Sequence, residues 1–170
     1  MHSNLLYYFY KNTNFVGIVM QKLNLPEFSF RIKTENDKMF IFDAIRKKFV
    51  RLTPEEWVRQ NFVQFLISVK NFSFSLIAIE TSVEINNNQQ RADLVIYNRL
   101  GVPILIAEFK SPDVKISQQT FDQIVRYNMR LKVPFLVVSN GLDHYCCKIN
   151  YSENSYAFIS EIPDFKDIIL

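Results

Sequence analysis

The sequence predicts an α/β protein: a mixed central β-sheet with helices packed on it. Three observations carry that expectation. Short apolar, β-branched runs bounded by turn residues mark a series of strands, two longer stretches repeat apolar residues at helical spacing, and those helices fall before and after a block of three strands. With 48% hydrophobic residues and 16 Phe among 170, the chain can bury a substantial core, so residues 20–170 are expected to form a single domain. It contains no internal repeat, low-complexity tract or Gly/Ser-rich linker.

Residues 1–19 read as a doubtful N-terminal extension. Leu5, Leu6, Tyr7, Tyr8, Phe9 and Tyr10 form an apolar run far short of the roughly 20 residues a membrane span needs, and no small-residue cleavage site follows. A start placed too early is the preferred account, with Met20 the natural beginning; an extra strand or partner-binding segment is the alternative. A basic hairpin region follows over 28–42, then a helix over 54–70 with Pro54 at its first position, where the missing N–H costs nothing. Strands are expected near 76–85, 93–98 and 102–110, the last two joined by the turn Asn98-Arg99-Leu100-Gly101. Ser117 is a plausible N-cap for a helix over 117–131, along which Phe121, Ile124, Val125 and Asn128 recur at helical spacing. Strands near 134–139, 144–150 and 156–160 complete the order. Adjacent Cys146 and Cys147 point to opposite faces of their strand and are expected to pack, and His144 completes no zinc pattern with them, so the reading is a reduced, cytoplasmic setting.

Chemistry concentrates in the hairpin and the helix behind it. Centring the turn on Leu100 pairs residues whose numbers sum to about 200, which sets Asp93 opposite Ala107 or Glu108. Glu108 and Lys110, two apart, share one face of their strand while Phe109 points the other way. Two acids and an ammonium then meet in one site. Such a site suits Mg²⁺ or Mn²⁺, hard cations bound by one or two carboxylates plus a substrate phosphate, and the expected chemistry is metal-assisted phosphodiester hydrolysis with Lys110 acting on the attacking water or the developing charge. Gln123 and Tyr127, four apart, are neighbours on one face of the following helix.

Asp93, Glu108-Phe109-Lys110 and Gln123-Ile124-Val125-Arg126-Tyr127 resemble the D, E-x-K and Q-x-x-x-Y motifs of RecB-like members of the PD-(D/E)XK nuclease superfamily. More closely, Leu52-Thr53-Pro54-Glu55-Glu56-Trp57-Val58-Arg59-Gln60 through Lys132-Val133-Pro134-Phe135 resembles the N-terminal nuclease domain of type I restriction enzyme R subunits, with similarity over roughly residues 28–165. Ala92 stands where the superfamily's name places a proline, a slot that holds no ligand. The resemblance implies an αβββαβ core, a catalytic set of Asp93, Glu108, Lys110, Gln123 and Tyr127, and the Phe109 carbonyl as a further metal ligand. It also implies an acid from the helix ahead of the hairpin, either Glu55 or Glu56. Val58, Phe62, Phe65 and Val69 define an apolar stripe, and at 100° per residue Glu55 falls about 60° from Val58 and Glu56 about 160°. Glu55 is therefore expected to face the site and Glu56 to be solvated.

Gly17, Gly101 and Gly141 are the only glycines, and none begins a Walker A loop, so the chain carries no ATP-driven motor of its own. It resembles the nuclease part of an R subunit alone, acting by itself or with a separate helicase or methyltransferase subunit. The net charge of +3 is mild, but Arg46, Lys47, Lys48 and Arg51 cluster before the first helix and are expected, with Arg126, to contact nucleic acid, DNA foremost. Two function classes remain: a Mg²⁺-dependent endonuclease, and a catalytically silent nucleic-acid-binding or assembly module of the same fold.

Overall fold

The computed structural model describes residues 20–85, 88–128 and 132–168, without the side chains of 83–85, 88–90, Gln123 and Tyr127. The N-terminal segment 1–19 lies outside the described residues.

A three-stranded antiparallel meander comes first, with β1 (Ile32–Glu35), β2 (Lys38–Asp43) and β3 (Lys48–Arg51) in that order. Its third strand is an addition to the expected hairpin: Phe42 pairs with Phe49 in register, and the rings meet edge to face at 5.3 Å. Helix α1 (Pro54–Ser68) starts where the sequence places it because Thr53 accepts the Glu56 N–H at 3.1 Å and Pro54 opens the first turn. Strands β4 (Ile77–Ile85), β5 (Asn88–Tyr97) and β6 (Pro103–Phe109) run antiparallel; α2 (Gln118–Asn128) then crosses over to β7 (Phe135–Ser139), and β8 (His144–Asn150) and β9 (Ser155–Ile159) finish the sheet. In the sheet of order β4-β5-β6-β7-β8-β9, β6 and β7 pair in parallel, which needs a crossover such as the one α2 supplies. A 3₁₀ turn at Phe74–Leu76 and a short α3 (Phe165–Ile168) are small additions to the expected order.

Strand alternation divides the core into two. On one face Leu94, Ile96, Leu105, Ala107 and Phe109 pack with Val58, Phe62 and Leu66 of α1; on the other Val95, Ile106, Leu136 and Val138 pack with Phe121 and Val125 of α2. Cys146 joins the first cluster and Cys147 the second, both as free thiols whose pKa burial pushes up to about 12. They are packing residues, as expected.

Helix α1 is itself covered on two sides. The inner face of the small sheet, with Ile41 wholly buried, packs onto it, Phe30 meets Trp57 at 5.4 Å, and on the main-sheet side Phe62 meets Phe109 at 5.3 Å. Every residue from Glu56 to Val63 is buried, whereas Val69, assigned above to the inward stripe, is 44% exposed. A single-stripe phase argument assumes one solvated face, and a helix held between two sheets has little of one. Among the described residues no helix is long and apolar enough to cross a membrane.

Candidate active site

The β5–β6 ladder pairs Leu94 with Ala107 and Ile96 with Leu105, so one step further on Asp93 stands opposite Glu108. This is one of the two registers the turn allowed. Asp93 Oδ2 accepts the Phe109 N–H at 2.8 Å, which ties its carboxylate to the end of β6. Glu108 lies beside it, and its carboxyl is pushed up to about 8, by burial first and by the Asp93 charge second, against the opposing pull of Lys110 and Arg59. The two acids and the ammonium are thus brought together. Gln123 and Tyr127 sit on α2, but their side chains lie outside the described residues.

Behind this pair runs a chain of buried charges. Arg59, 5% exposed at its side chain, donates to Asp93 Oδ1 at 3.1 Å, to Glu55 at 3.2 Å and to Glu56. Its Nε is the buried side-chain nitrogen that has no partner among the described residues. Glu56 also accepts from Arg46 at 2.6 Å and Gln60 at 2.8 Å, while Asp43, with no exposed surface, accepts from the Arg46 Nε at 2.5 Å and from Gln60 at 2.8 Å. Glu80 completes the chain, 2.5 Å from Arg46 and 3.7 Å from Arg59. The β4–β5 register steps from Ile79–Leu94 to Thr81–Ala92 across Glu80, whose φ of 49° is left-handed. That conformation costs about 1–2 kcal/mol for a residue with a Cβ, which the arginines facing its carboxylate help to offset.

Two expectations are corrected here. Glu56 is not solvated: its side chain is 6% exposed and held by Arg46, Arg59 and Gln60, whereas Glu55 is 43% exposed and reaches the site through Arg59. Arg46 is not presented to nucleic acid, because its guanidinium is taken up by Asp43, Glu56 and Glu80. Burying those carboxylates is costly unless cations sit in their midst; Arg46 serves all three, and Arg59 shares Glu56 and Glu80 with it. Lys47, Lys48 and Arg51 are exposed on the small sheet and its turn. Arg126 is exposed on α2, on the opposite side of the main sheet from α1, with its Nε donating to the Asp122 carbonyl at 3.2 Å. The structure does not gather it with the other cations.

Arg59, Gln60, Asp43 and Glu80 were missed. Arg59 and Gln60 had a signal, since each falls four residues after a glutamate on the same helix, the spacing at which side chains meet. Asp43 ends an apolar strand and Glu80 is one of two glutamates in β4, and neither gave a signal.

The donor set fits a hard divalent cation. Two carboxylates side by side, one resisting ionisation through burial and its neighbour's charge, are what such an ion neutralises. Among the described residues no three His, Cys, Asp or Glu side chains gather as a metal cage, so Asp93 and Glu108 would be completed by backbone or water oxygens. The pKa shift also has a consequence for stability. A carboxyl whose folded pKa is raised favours the folded state while protonated and works against it once ionised, so without a cation stability should fall as pH rises from about 5 through about 8. Glu108→Gln should remove that decline and gain on the order of a few kcal/mol over the parent at pH 9. Thermal melts in chelator across that range check it; parallel profiles for the two proteins would refute the assignment.

Fold and site together define an α/β protein with an acidic pair and a lysine at the adjoining ends of two neighbouring strands. Residues 54–163 match the family described as the type I restriction enzyme R protein N terminus (HSDR_N), well over half of the chain, and the chain belongs to that family. It is also similar to a solved fragment described as a putative HsdR subunit of a type I restriction enzyme from Vibrio vulnificus YJ016, at 20% identity and a TM-score of 0.48 over 69% of this chain. The chain spans 24% of the length of that fragment. No curated protein matches.

Proposed function

We propose that this chain is a divalent-cation-dependent nuclease of the PD-(D/E)XK type, acting on DNA, and that within a type I restriction system it works with motor and methyltransferase components. The observation that carries the reading is the meeting of Asp93 and Glu108, with Lys110 beside them, at the adjoining ends of β5 and β6. Asp93, Glu108 and the Phe109 carbonyl would hold Mg²⁺ or Mn²⁺, which supplies polarisation of the scissile phosphate and acidification of an attacking water. The chain's own residues do the rest. The Phe109 N–H and Arg59 fix the Asp93 carboxylate, Lys110 orients the water and offsets charge developing on phosphorus, and Glu55 adds an acid at the rim through Arg59. Gln123 carries an uncharged amide that can position nucleic acid, with Tyr127 one turn further along α2.

A second reading, a silent nucleic-acid-binding or assembly module, is favoured by one observation: Arg59 already supplies Asp93 with a countercharge. Calorimetric titration of Mn²⁺ into metal-free protein separates the two. One binding event is expected, lost in Asp93→Ala and in Glu108→Gln, together with nicking of plasmid DNA by the parent protein in Mg²⁺ or Mn²⁺. Absence of Mn²⁺ binding, or equal binding by Asp93→Ala, would sink the nuclease reading; Mn²⁺ binding without cutting of any nucleic acid would leave the silent module.

A further inference from the structure

We propose that the outer face of the β1–β3 sheet is a binding platform for single-stranded nucleic acid, from which the strand passes to the Asp93–Glu108 site; this last step rests on the nuclease reading, the binding does not. Ladder register and alternation turn Ile41 and Val50 inward onto α1 and turn Phe40, Phe42 and Phe49 outward together with Lys33 and Arg51. Arg31 extends the ladder, accepting the Phe42 N–H at 2.8 Å, and shares that outer face. The sequence Lys38-Met-Phe-Ile-Phe-Asp43 is therefore apolar on both sides of the strand, although among the described residues it is the inner side that packs on the core.

Rings and cations alternate on this face. The Arg31 guanidinium lies 4.5 Å from the Phe42 centroid and 5.7 Å from that of Phe49, and the Lys33 ammonium lies 4.9 Å from Phe49 and 5.6 Å from Phe40. Lys38 adds a further exposed cation, while the carboxylate at an outer strand position is Glu35, already paired to Lys33 at 2.8 Å. A basic surface interleaved with aromatic rings complements a polyphosphate whose bases are free to stack, on phenyl faces and on the guanidinium plane alike; a duplex keeps its bases stacked internally and gains only the charge.

The platform is anchored at the rim of the site. Arg46, in the β2–β3 turn, bonds Glu56 at 2.6 Å and Glu80 at 2.5 Å, and Arg59 links the same two acids to Asp93 at 3.1 Å. The three strands precede the segment matched by the family model, which begins at residue 54, so the platform is carried by residues outside that match.

The test is fluorescence anisotropy of the full chain, in chelator, with a labelled 20-nucleotide oligothymidylate, the corresponding abasic oligomer and a duplex of equal length. Oligothymidylate is expected to bind most tightly. Phe42→Leu/Phe49→Leu should weaken it about tenfold, to the abasic level, with an unchanged salt slope, because stacking disappears and the phosphates stay neutralised. Arg31→Gln/Lys33→Gln should instead lower the slope of log K against log salt by about 0.7 for each phosphate left without its cation. Melting temperature and Mn²⁺ titration of each variant report whether the fold and the acidic site are intact. Oligothymidylate bound no better than the abasic oligomer or the duplex, unaltered binding by both variants, or no binding of any oligomer would overturn the proposal. Failure here with Mn²⁺ binding intact strikes the platform alone; strand binding without Mn²⁺ binding strikes the nuclease reading alone.

Discussion

Lys110→Ala is expected to cut DNA at least 10²–10³-fold more slowly than the parent protein, while binding Mn²⁺ and DNA nearly as well. Lys110 lies two residues beyond Glu108, on the same side of the chain, and its ammonium is one of the two charges that act against the Glu108 shift, so it sits within electrostatic reach of the acidic pair. A group that acts on the attacking water and on charge that appears only at the transition state is missed in the rate and not in ground-state binding. Single-turnover cleavage beside Mn²⁺ calorimetry separates the two. A variant that cuts at the parental rate would move the chemistry elsewhere, and one that also loses Mn²⁺ would make Lys110 a structural member of the site.

Arg46→Met should destabilise the protein by about 3–5 kcal/mol, read as a shift of the urea midpoint with an unchanged slope. The methionine keeps most of the stem's volume and removes the charge. It leaves Asp43, with no exposed surface, without its cation, and Glu56, 6% exposed at its side chain, with Arg59 alone. Gln60 bridges both carboxylates but brings no charge. Lys47→Ala and Lys48→Ala, exposed beside it, should stay within about 0.5 kcal/mol of the parent. If Arg46→Met melted with the parent protein and only bound DNA less well, the phosphate-contact reading of Arg46 would be restored.

The contrast between these two residues shows how far the sequence reaches. Asp93, Glu108 and Lys110 were legible together because a four-residue turn fixes a hairpin register to within one step, and strand alternation then fixes which side chains share a face. The α1 start was equally legible, since Thr53 and Pro54 act within their own turn. The two faces of the main sheet followed from alternation, down to the division of Cys146 and Cys147 between two cores.

What the tertiary structure decided is which charges are consumed. Glu55 and Glu56 are adjacent in one helical turn, and Arg46, Lys47 and Lys48 are consecutive where the β2–β3 turn enters β3, yet Glu56 and Arg46 turn inward to each other and to Asp43 and Glu80 while their neighbours stay at the surface. The small sheet closes α1 from the second side, and that enclosure converts a polar helix face into a buried ion network. Apolar burial is roughly additive residue by residue and so leaves a periodic trace in the chain. The pairing of a buried charge depends on which opposite charges arrive from other elements, as Glu80 and Asp93 reach Arg46 and Arg59 across 34 residues, and proximity of that kind leaves no period to read.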